Sequence, residues 1–214
     1  MLETINVDLK HRLMERLSGA LPGRAAQFRM ITPRRLEELG PNFEVPDHAK
    51  VACVLNLIHF SEGQWRTVLI QRTVNPRDRH SGQVSFPGGR YEETDGSLES
   101  VALREAEEEI GVPVDRIQLL GRLTELYIPV SNFLVHPFVG LLEGPPSFVP
   151  QPGEVEHILT PAISIFEEPT THKISDLTLG TGVTIKNVPY FEVENRVVWG
   201  ATAMILSEFL EIWR

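Results

Sequence analysis

Phe86-Pro87-Gly88-Gly89-Arg90-Tyr91 leads, through Asp95-Gly96-Ser97, into Leu98-Glu99-Ser100-Val101-Ala102-Leu103-Arg104-Glu105-Ala106-Glu107-Glu108-Glu109-Ile110-Gly111-Val112. The grammar of this stretch is a glycine-rich loop, a helix and a stop. Asp95 or Ser97 can cap the helix start, Gly111 can take the left-handed conformation past its end, and Pro113 forbids continuation. At about 100° per residue, Glu105, Glu108 and Glu109 fall within an arc of roughly a hundred degrees, apart from an apolar stripe of Leu103, Ala106 and Ile110. Three carboxylates therefore share one face of a helix whose other side is expected to be buried.

Like charges three or four residues apart cost an isolated helix about 0.2–0.5 kcal/mol per pair, so such a cluster calls for a cation. Magnesium suits it: a hard ion that takes oxygen ligands and bridges one or two carboxylates to substrate phosphates, with manganese an alternative for the same donors. Gly88 and Gly89 would let the main chain approach the ligand closely, and Arg104 can pair with Glu108 one turn on or hold a neighbouring carboxylate. Glu107-Glu108-Glu109 alone would be a solvated acidic face, and Gly88-Gly89 alone a turn. Their joint spacing is what points to a site.

Outward from this stretch, Val51–Phe60 and Trp65–Arg72 read as two strands joined by the turn Ser61-Glu62-Gly63. Further strands are expected over Gln118–Leu126 and Phe133–Leu142, with weaker ones near Leu177, Val183–Ile185 and Tyr190–Val193. A C-terminal helix is expected over Thr202–Trp213. At the N-terminus Ile5, Leu9, Leu13 and Leu17 recur every four residues, which predicts an amphipathic helix. Its stripe would either support a homodimer or pack on its own domain. A connector rich in Pro and Gly follows, with one or two helical turns over Pro33–Leu39. Irregular alternation of strands and helices predicts an α/β fold with a mixed sheet in an α/β/α sandwich. Residues 1–48 form an N-terminal extension and 49–214 the main domain.

The chain has 214 residues, with 20 Lys+Arg against 29 Asp+Glu and a net charge of −9. That balance argues against nucleic acid as a partner, because phosphate-backbone binding depends on clustered cations. The lone Cys53 sits in an apolar run and excludes both an intrachain disulfide and a cysteine-rich zinc site. Glu3, Asp8 and Glu15 break any signal or transit pattern, and the longest apolar stretch, Val197–Leu206, is too short to span a bilayer. The expectation is a cytoplasmic protein with no membrane partner.

The segment Gly89–Val112 resembles the signature box of the Nudix hydrolases: Gly, five residues, Glu, seven residues, then Arg-Glu-aliphatic-any-Glu-Glu-any-Gly-aliphatic. Arg104 to Val112 fits the second half residue for residue. Asp95 stands where Glu is usual, and eight residues rather than seven separate it from Arg104, which leaves the role of Asp95 open. A second stretch, Val68-Leu69-Ile70-Gln71-Arg72-Thr73 with Arg77, His80, Gly82 and Phe86-Pro87-Gly88-Gly89, is similar to the additional signature of the coenzyme A pyrophosphatase branch. It departs from that signature at Ile70, Thr73 and the spacing before Gly82. The likeness covers roughly residues 50 to 212, including Gly121–Leu123, Tyr127–Ser131, His136–Gly140 and the loop Glu154–Pro161.

The resemblance implies a magnesium- or manganese-dependent pyrophosphohydrolase acting on coenzyme A or an acyl derivative. Glu105, Glu108 and Glu109, beside the main chain at Gly89, would hold the metal, and Arg104 would orient the glutamates. Arg72, Arg77, His80, Gly82, Phe86 and Gly88 would meet the substrate. A further acidic residue from a distant loop is implied as ligand or base, with Glu154 first and Glu156 and Glu125 behind it. Phe133 and Phe166 are candidate contacts for adenine or pantetheine. Other readings remain open: a hydrolase of ADP-ribose, NADH, a dinucleoside polyphosphate or a damaged nucleoside triphosphate, or a nucleotide-sensing module of the same fold without catalysis.

Overall fold

Leu9, Leu13 and Leu17 stand at helical spacing, and they become the buried stripe of α1 (Leu2–Ser18). The computed structural model describes residues 2–40, 43–75, 80–179 and 182–214. From Leu9 to Leu17 the stripe lies against the chain's own core. Two short helices follow, α2 (Gly23–Gln27) and α3 (Pro33–Leu39). α3 starts where the Thr32 side chain accepts the Arg35 N–H at 3.2 Å and Pro33 takes the first helical position, a start that is written in the residue types. α2, only five residues long, has too short a pattern to be read in advance.

β1 (Lys50–Ser61) turns through Glu62 and Gly63, both left-handed (φ 52° and 75°), into β2 (Gln64–Thr67), as a two-residue hairpin requires. The single strand expected over Trp65–Arg72 is broken at Val68. There β2 ends, and β3 (Leu69–Arg72) leaves to pair with β4 (Val84–Ser85) in another sheet. Val68 keeps its hydrogen bond to the Leu57 carbonyl at 2.9 Å while the chain changes sheets, so the break leaves no orphaned donor.

After β5 (Gly88–Arg90) come α4 (Leu98–Ile110), β6 (Ile117–Arg122), β7 (Leu126–Ile128), β8 (Phe133–Leu142) and β9 (Val155–Leu159). The chain closes with β10 (His172–Thr178), β11 (Thr184–Val193), β12 (Arg196–Trp199) and α5 (Gly200–Trp213). One six-stranded sheet has the order β2-β1-β8-β6, with β5 also on β1 and β7 also on β8; β4-β3-β9 and β10-β11-β12 form two smaller sheets. β1 and β8 are parallel and their connection carries α4, whereas the other pairings are antiparallel. The sheet is mixed, as expected.

Alternate residues of β1 serve opposite layers. Cys53, Leu55 and Leu57 pack with Val101, Ala102, Ala106 and Ile110 of α4. Ala52, Val54 and Ile58 face the layer containing Leu13 of α1 and Met204 and Phe209 of α5. This is the α/β/α arrangement the pattern predicted. The strand expected over Gln118–Leu126 is interrupted at 123–125, and a buried carboxylate explains the break. Glu208 of α5, with no exposed surface, accepts from the Thr124 hydroxyl (2.7 Å), the Thr124 N–H (3.2 Å), the Gly23 N–H (3.0 Å) and Gln27 Nε2 (2.9 Å). It thereby ties α2 and the β6–β7 break to α5. Among the described residues no helix is long and apolar enough to cross a membrane.

Candidate active site

The register of β5 on β1 sets Gly88 opposite Val54, Gly89 opposite Cys53 and Arg90 opposite Ala52. The backbone packs so closely that a Cβ at Gly88 would overlap the Cys53 carbonyl, and one at Gly89 would overlap the Glu105 carboxylate. Glycine is required at Gly88, where the obstacle is backbone, and at Gly89 it leaves the space that the Glu105 carboxylate fills. It lets a helix side chain rest directly on the loop.

α4 is started by Ser97, whose hydroxyl accepts the Ser100 N–H at 3.1 Å, and is ended by Gly111 in the left-handed conformation (φ 68°). Along it the three glutamates are graded in exposure, with side chains 2%, 14% and 57% exposed at Glu109, Glu105 and Glu108. Glu109 accepts the Gly88 N–H at 2.8 Å, and its other oxygen stands 3.7 Å from the Arg72 guanidinium. Arg104 is the hub of the others: it donates to Glu105 at 2.9 Å, to Glu108 at 3.1 Å and to the Arg90 carbonyl at 3.3 Å. Its remaining fork closes on Asp95, with bonds of 2.6 and 3.1 Å. Asp95, whose role the sequence left open, is the anchor of Arg104, and its second oxygen also takes the Glu92 N–H at 2.8 Å.

Burial pushes the Glu109 carboxyl up to about 7; the charges of Glu105 and Glu154 add to this, and the Gly88 N–H and Arg72 oppose it. Glu105 is also raised, first by burial and further by Glu108 and Glu154, with Arg104 opposing. The hydrogen bonds from Arg104 and then from the Glu92 N–H hold Asp95 below the usual carboxylate range. Glu154 therefore acts on both buried glutamates from a separate loop. That loop is tied to the strand end by the Thr73 N–H, which donates to the Glu154 carbonyl at 2.9 Å.

The structure thus assembles Arg72, Gly88, Gly89, Arg104, Glu105, Glu108, Glu109 and Glu154. Gly82, left-handed at φ 69°, closes the loop after β3 by donating to the Thr73 carbonyl, and His80 Nδ1 lies 3.3 Å from Gln83 Oε1. Arg77 lies outside the described residues. Phe86 is a correction: its ring is 2% exposed in the core and is not free to touch a substrate. Phe166 is another, fully buried edge-to-face against Phe191. Glu125 lines a cleft with Arg24, Phe43 and Tyr127, and neither it nor the exposed Glu156 is among the charges acting on Glu105 and Glu109.

Known proteins resemble this chain in sequence and in fold. The family model described as NUDIX domain matches residues 47–175. A protein of Photorhabdus laumondii, described as an uncharacterized Nudix hydrolase NudL, is 33% identical over 150 residues, covering 68% of this chain and 76% of that protein. A NudL of Yersinia pestis (strain Pestoides F), described in the same words, is 35% identical over 150 residues, covering 68% and 71%. The crystal structure of a MutT/nudix family protein from Enterococcus faecalis matches 88% of this chain and 72% of its own with a TM-score of 0.50 and 17% identity, a likeness of fold. The chain belongs to the Nudix hydrolase family.

As a Nudix hydrolase it acts on a nucleoside diphosphate derivative, and enzymes of this family generally use divalent metal ions. The donor chemistry of the site fits such an ion. Burial first, and then the charge of Glu154 together with Glu105 at Glu109 and Glu108 at Glu105, raises the proton affinity of both carboxylates, a penalty that a bound cation would relieve. Among the described residues no three ligating side chains converge on one point, and Arg104 pairs with both Glu105 and Glu108. The guanidinium neutralises the charge that a divalent ion would otherwise neutralise.

Proposed function

We propose that the chain is a magnesium-dependent pyrophosphohydrolase, with manganese the alternative ion, that cleaves coenzyme A or an acyl derivative to 3′,5′-ADP and (acyl-)4′-phosphopantetheine. The observation that carries the reading is the meeting of Arg72 and Gly88 at Glu109. Arg72 and Gly88 belong to the stretch that resembles the coenzyme A branch signature and Glu109 to the stretch that resembles the Nudix box, so one buried carboxylate joins the two.

Water attacks one phosphorus of the diphosphate, and the bond from that phosphorus to the bridging oxygen breaks. Glu105, Glu108 and Glu109 would hold the metal, which supplies charge neutralisation at the phosphoryl oxygens and lowers the pKa of a bound water. Arg104, locked by Asp95, orients Glu105 and Glu108. Arg72, with Arg77 of the same signature, supplies fork-like donors to the phosphate oxygens. Glu154 is the candidate to receive the proton of the attacking water. With net charge −9 and no need of a polymer, the partner is a small nucleotide, and the cytoplasm is the compartment that supplies it.

The test is product analysis by mass-resolved chromatography after incubation with coenzyme A, ADP-ribose and NADH, each with and without magnesium. Release of 3′,5′-ADP from coenzyme A only with metal is the expected result. Cleavage of ADP-ribose or NADH instead would replace the substrate and keep the chemistry; cleavage of none would make the domain a nucleotide-binding module.

A further inference from the structure

A strap of chain, residues 148–154, crosses the C-terminal end of α4. The Val149 N–H donates to the Ile110 carbonyl at 2.9 Å and the Gln151 N–H to the Glu109 carbonyl at 3.0 Å, where the last turn of a helix leaves its carbonyls without intrahelical partners. Gly111 makes room for the strap: a Cβ there would stand 3.0 Å from the Val149 Cβ. At its start the strap is seated by Phe148, which packs edge-on to the buried His59 ring at 5.3 Å and against the core layer that includes α4.

At its other end the strap is clamped by Thr73. The Thr73 hydroxyl donates to the Gly153 carbonyl at 2.8 Å, and the Thr73 N–H donates to the Glu154 carbonyl at 2.9 Å. A register slip in the β3–β9 pair brings these groups together. Leu69, Ile70 and Gln71 pair with Leu159, Ile158 and His157, but Arg72 pairs with Val155, so Glu156 is an extra residue on β9. Such a bulge bends its strand and re-aims the residues beyond it. Thr73 therefore stands against Glu154, one residue along from the Arg72 whose guanidinium faces Glu109. Within the strap the Glu154 and Val155 N–H groups both donate to the Gln151 carbonyl, at 3.3 and 3.0 Å. The strap is thus bonded to the main chain of Glu109 and carries Glu154, whose charge acts on Glu105 and Glu109.

We infer that Thr73 and Phe148 are positioning residues for the reaction, fixing the two ends of the strap so that the Glu154 carboxylate is held at the carboxylates of α4. Each acts through Glu154 and has no other part in the reaction scheme. Glu154 is exposed on a loop, and a loop carboxylate fixed in advance does not have to lose its conformational freedom in the chemical step. The inference rests on the reading in which Glu154 takes the proton of the attacking water. It adds to that reading the two side chains, one hydroxyl and one ring, that put Glu154 in place.

The test is a double-mutant cycle in the full chain with magnesium, on coenzyme A or whichever diphosphate is cleaved: wild type, Thr73→Val, Phe148→Ala, Glu154→Gln, and each clamp variant combined with Glu154→Gln. Thr73→Val removes the hydroxyl and keeps the backbone N–H. Each clamp variant should lower kcat about three- to tenfold, the scale of one lost hydrogen bond or ring contact, with KM unchanged. In the Glu154→Gln background neither should have a further effect, and Thr73→Ser, which keeps the hydroxyl, should turn over like wild type. A second readout needs neither substrate nor metal: the Gln151, Glu154 and Val155 amides should exchange with deuterium several-fold faster in the clamp variants while the α4 amides exchange as before. Equal losses of kcat in both backgrounds, no loss in either, or strap amides as slow as in wild type overturn the inference and leave the role of Glu154 standing. Wild-type turnover in Glu154→Gln, or no diphosphate cleaved at all, overturns that role and the inference with it.

Discussion

The Gly88 N–H donates to Glu109 Oε2 at 2.8 Å, and the glycine that makes this approach possible sits where any side chain would strike the Cys53 carbonyl. The loop and the helix are thereby locked through one carboxylate that burial has pushed up to about 7. This carboxylate is only 2% exposed, so its charge is costly unless a cation balances it.

Glu109→Gln should abolish most turnover and spare the fold. The amide oxygen can still accept the Gly88 N–H, but the charge is gone. A loss in kcat of about a hundredfold or more is expected on the scale of removing one electrostatic contact from an active site, with a melting temperature equal to or above wild type. Near-wild-type turnover would reject the role given to this residue.

Asp95→Asn weakens the Arg104 fork without touching a glutamate. Partners one shell out from metal ligands typically matter by about 10–100-fold, so activity should fall within that range and the magnesium concentration for half-maximal rate should rise. A titration of rate against magnesium distinguishes this from a simple loss of folded protein, which lowers the plateau and leaves the midpoint where it was.

His59 predicts how stability depends on pH. Its ring is 2% exposed on β1, packed edge-on to Phe148 at 5.3 Å, and burial followed by the charge of Arg66 lowers its pKa from about 6.5 to about 4. The unfolded chain therefore binds more protons than the folded one between those values, so stability is lost as pH falls from about 6.5 towards 4. Glu109, pushed up to about 7, works in the opposite direction over much of the same window, so the signature is a difference between melts: wild type should lose ground to His59→Phe as pH falls from about 6.5 towards 4. An identical slope in the variant would place the acid sensitivity elsewhere.

Glu208→Ala removes one buried carboxylate and strands the donors of Gly23, Gln27 and Thr124. Leaving a buried neutral donor unsatisfied costs about 1–3 kcal/mol, so stranding these together should cost on the order of 3 kcal/mol or more. Urea unfolding should show the midpoint fall by a corresponding amount, with α2 and the N-terminal extension losing protection from hydrogen exchange first. A change below about 1 kcal/mol would mean that water replaces the carboxylate there.

The sequence carried much of this in local patterns. Ser97, Gly111 and Pro113 bounded α4 because capping is a property of neighbouring residues, and Leu9, Leu13 and Leu17 marked α1 because burial follows helical period. The break at Val68 was not legible, since an apolar run reads the same whether it stays in one sheet or passes to another. The Thr124 break was hidden for a related reason: its partner, Glu208, lies 84 residues away. Phe86 was assigned to the substrate because it belongs to a motif, yet a motif records which residues recur together and does not say which of them fill the core.

The family, the carboxylate-bearing helix α4 and the identity of its acidic residues were legible in the sequence alone, because all of these rest on spacing along one short stretch. Tertiary structure alone decided that Asp95 anchors Arg104, that Glu109 is buried while Glu108 is solvated, and that Glu154 acts on both inner glutamates. Charge, burial and partnership at those positions come from strands and loops distant in the chain, and electrostatic free energy depends on distance in space and on access to water, neither of which a linear pattern contains.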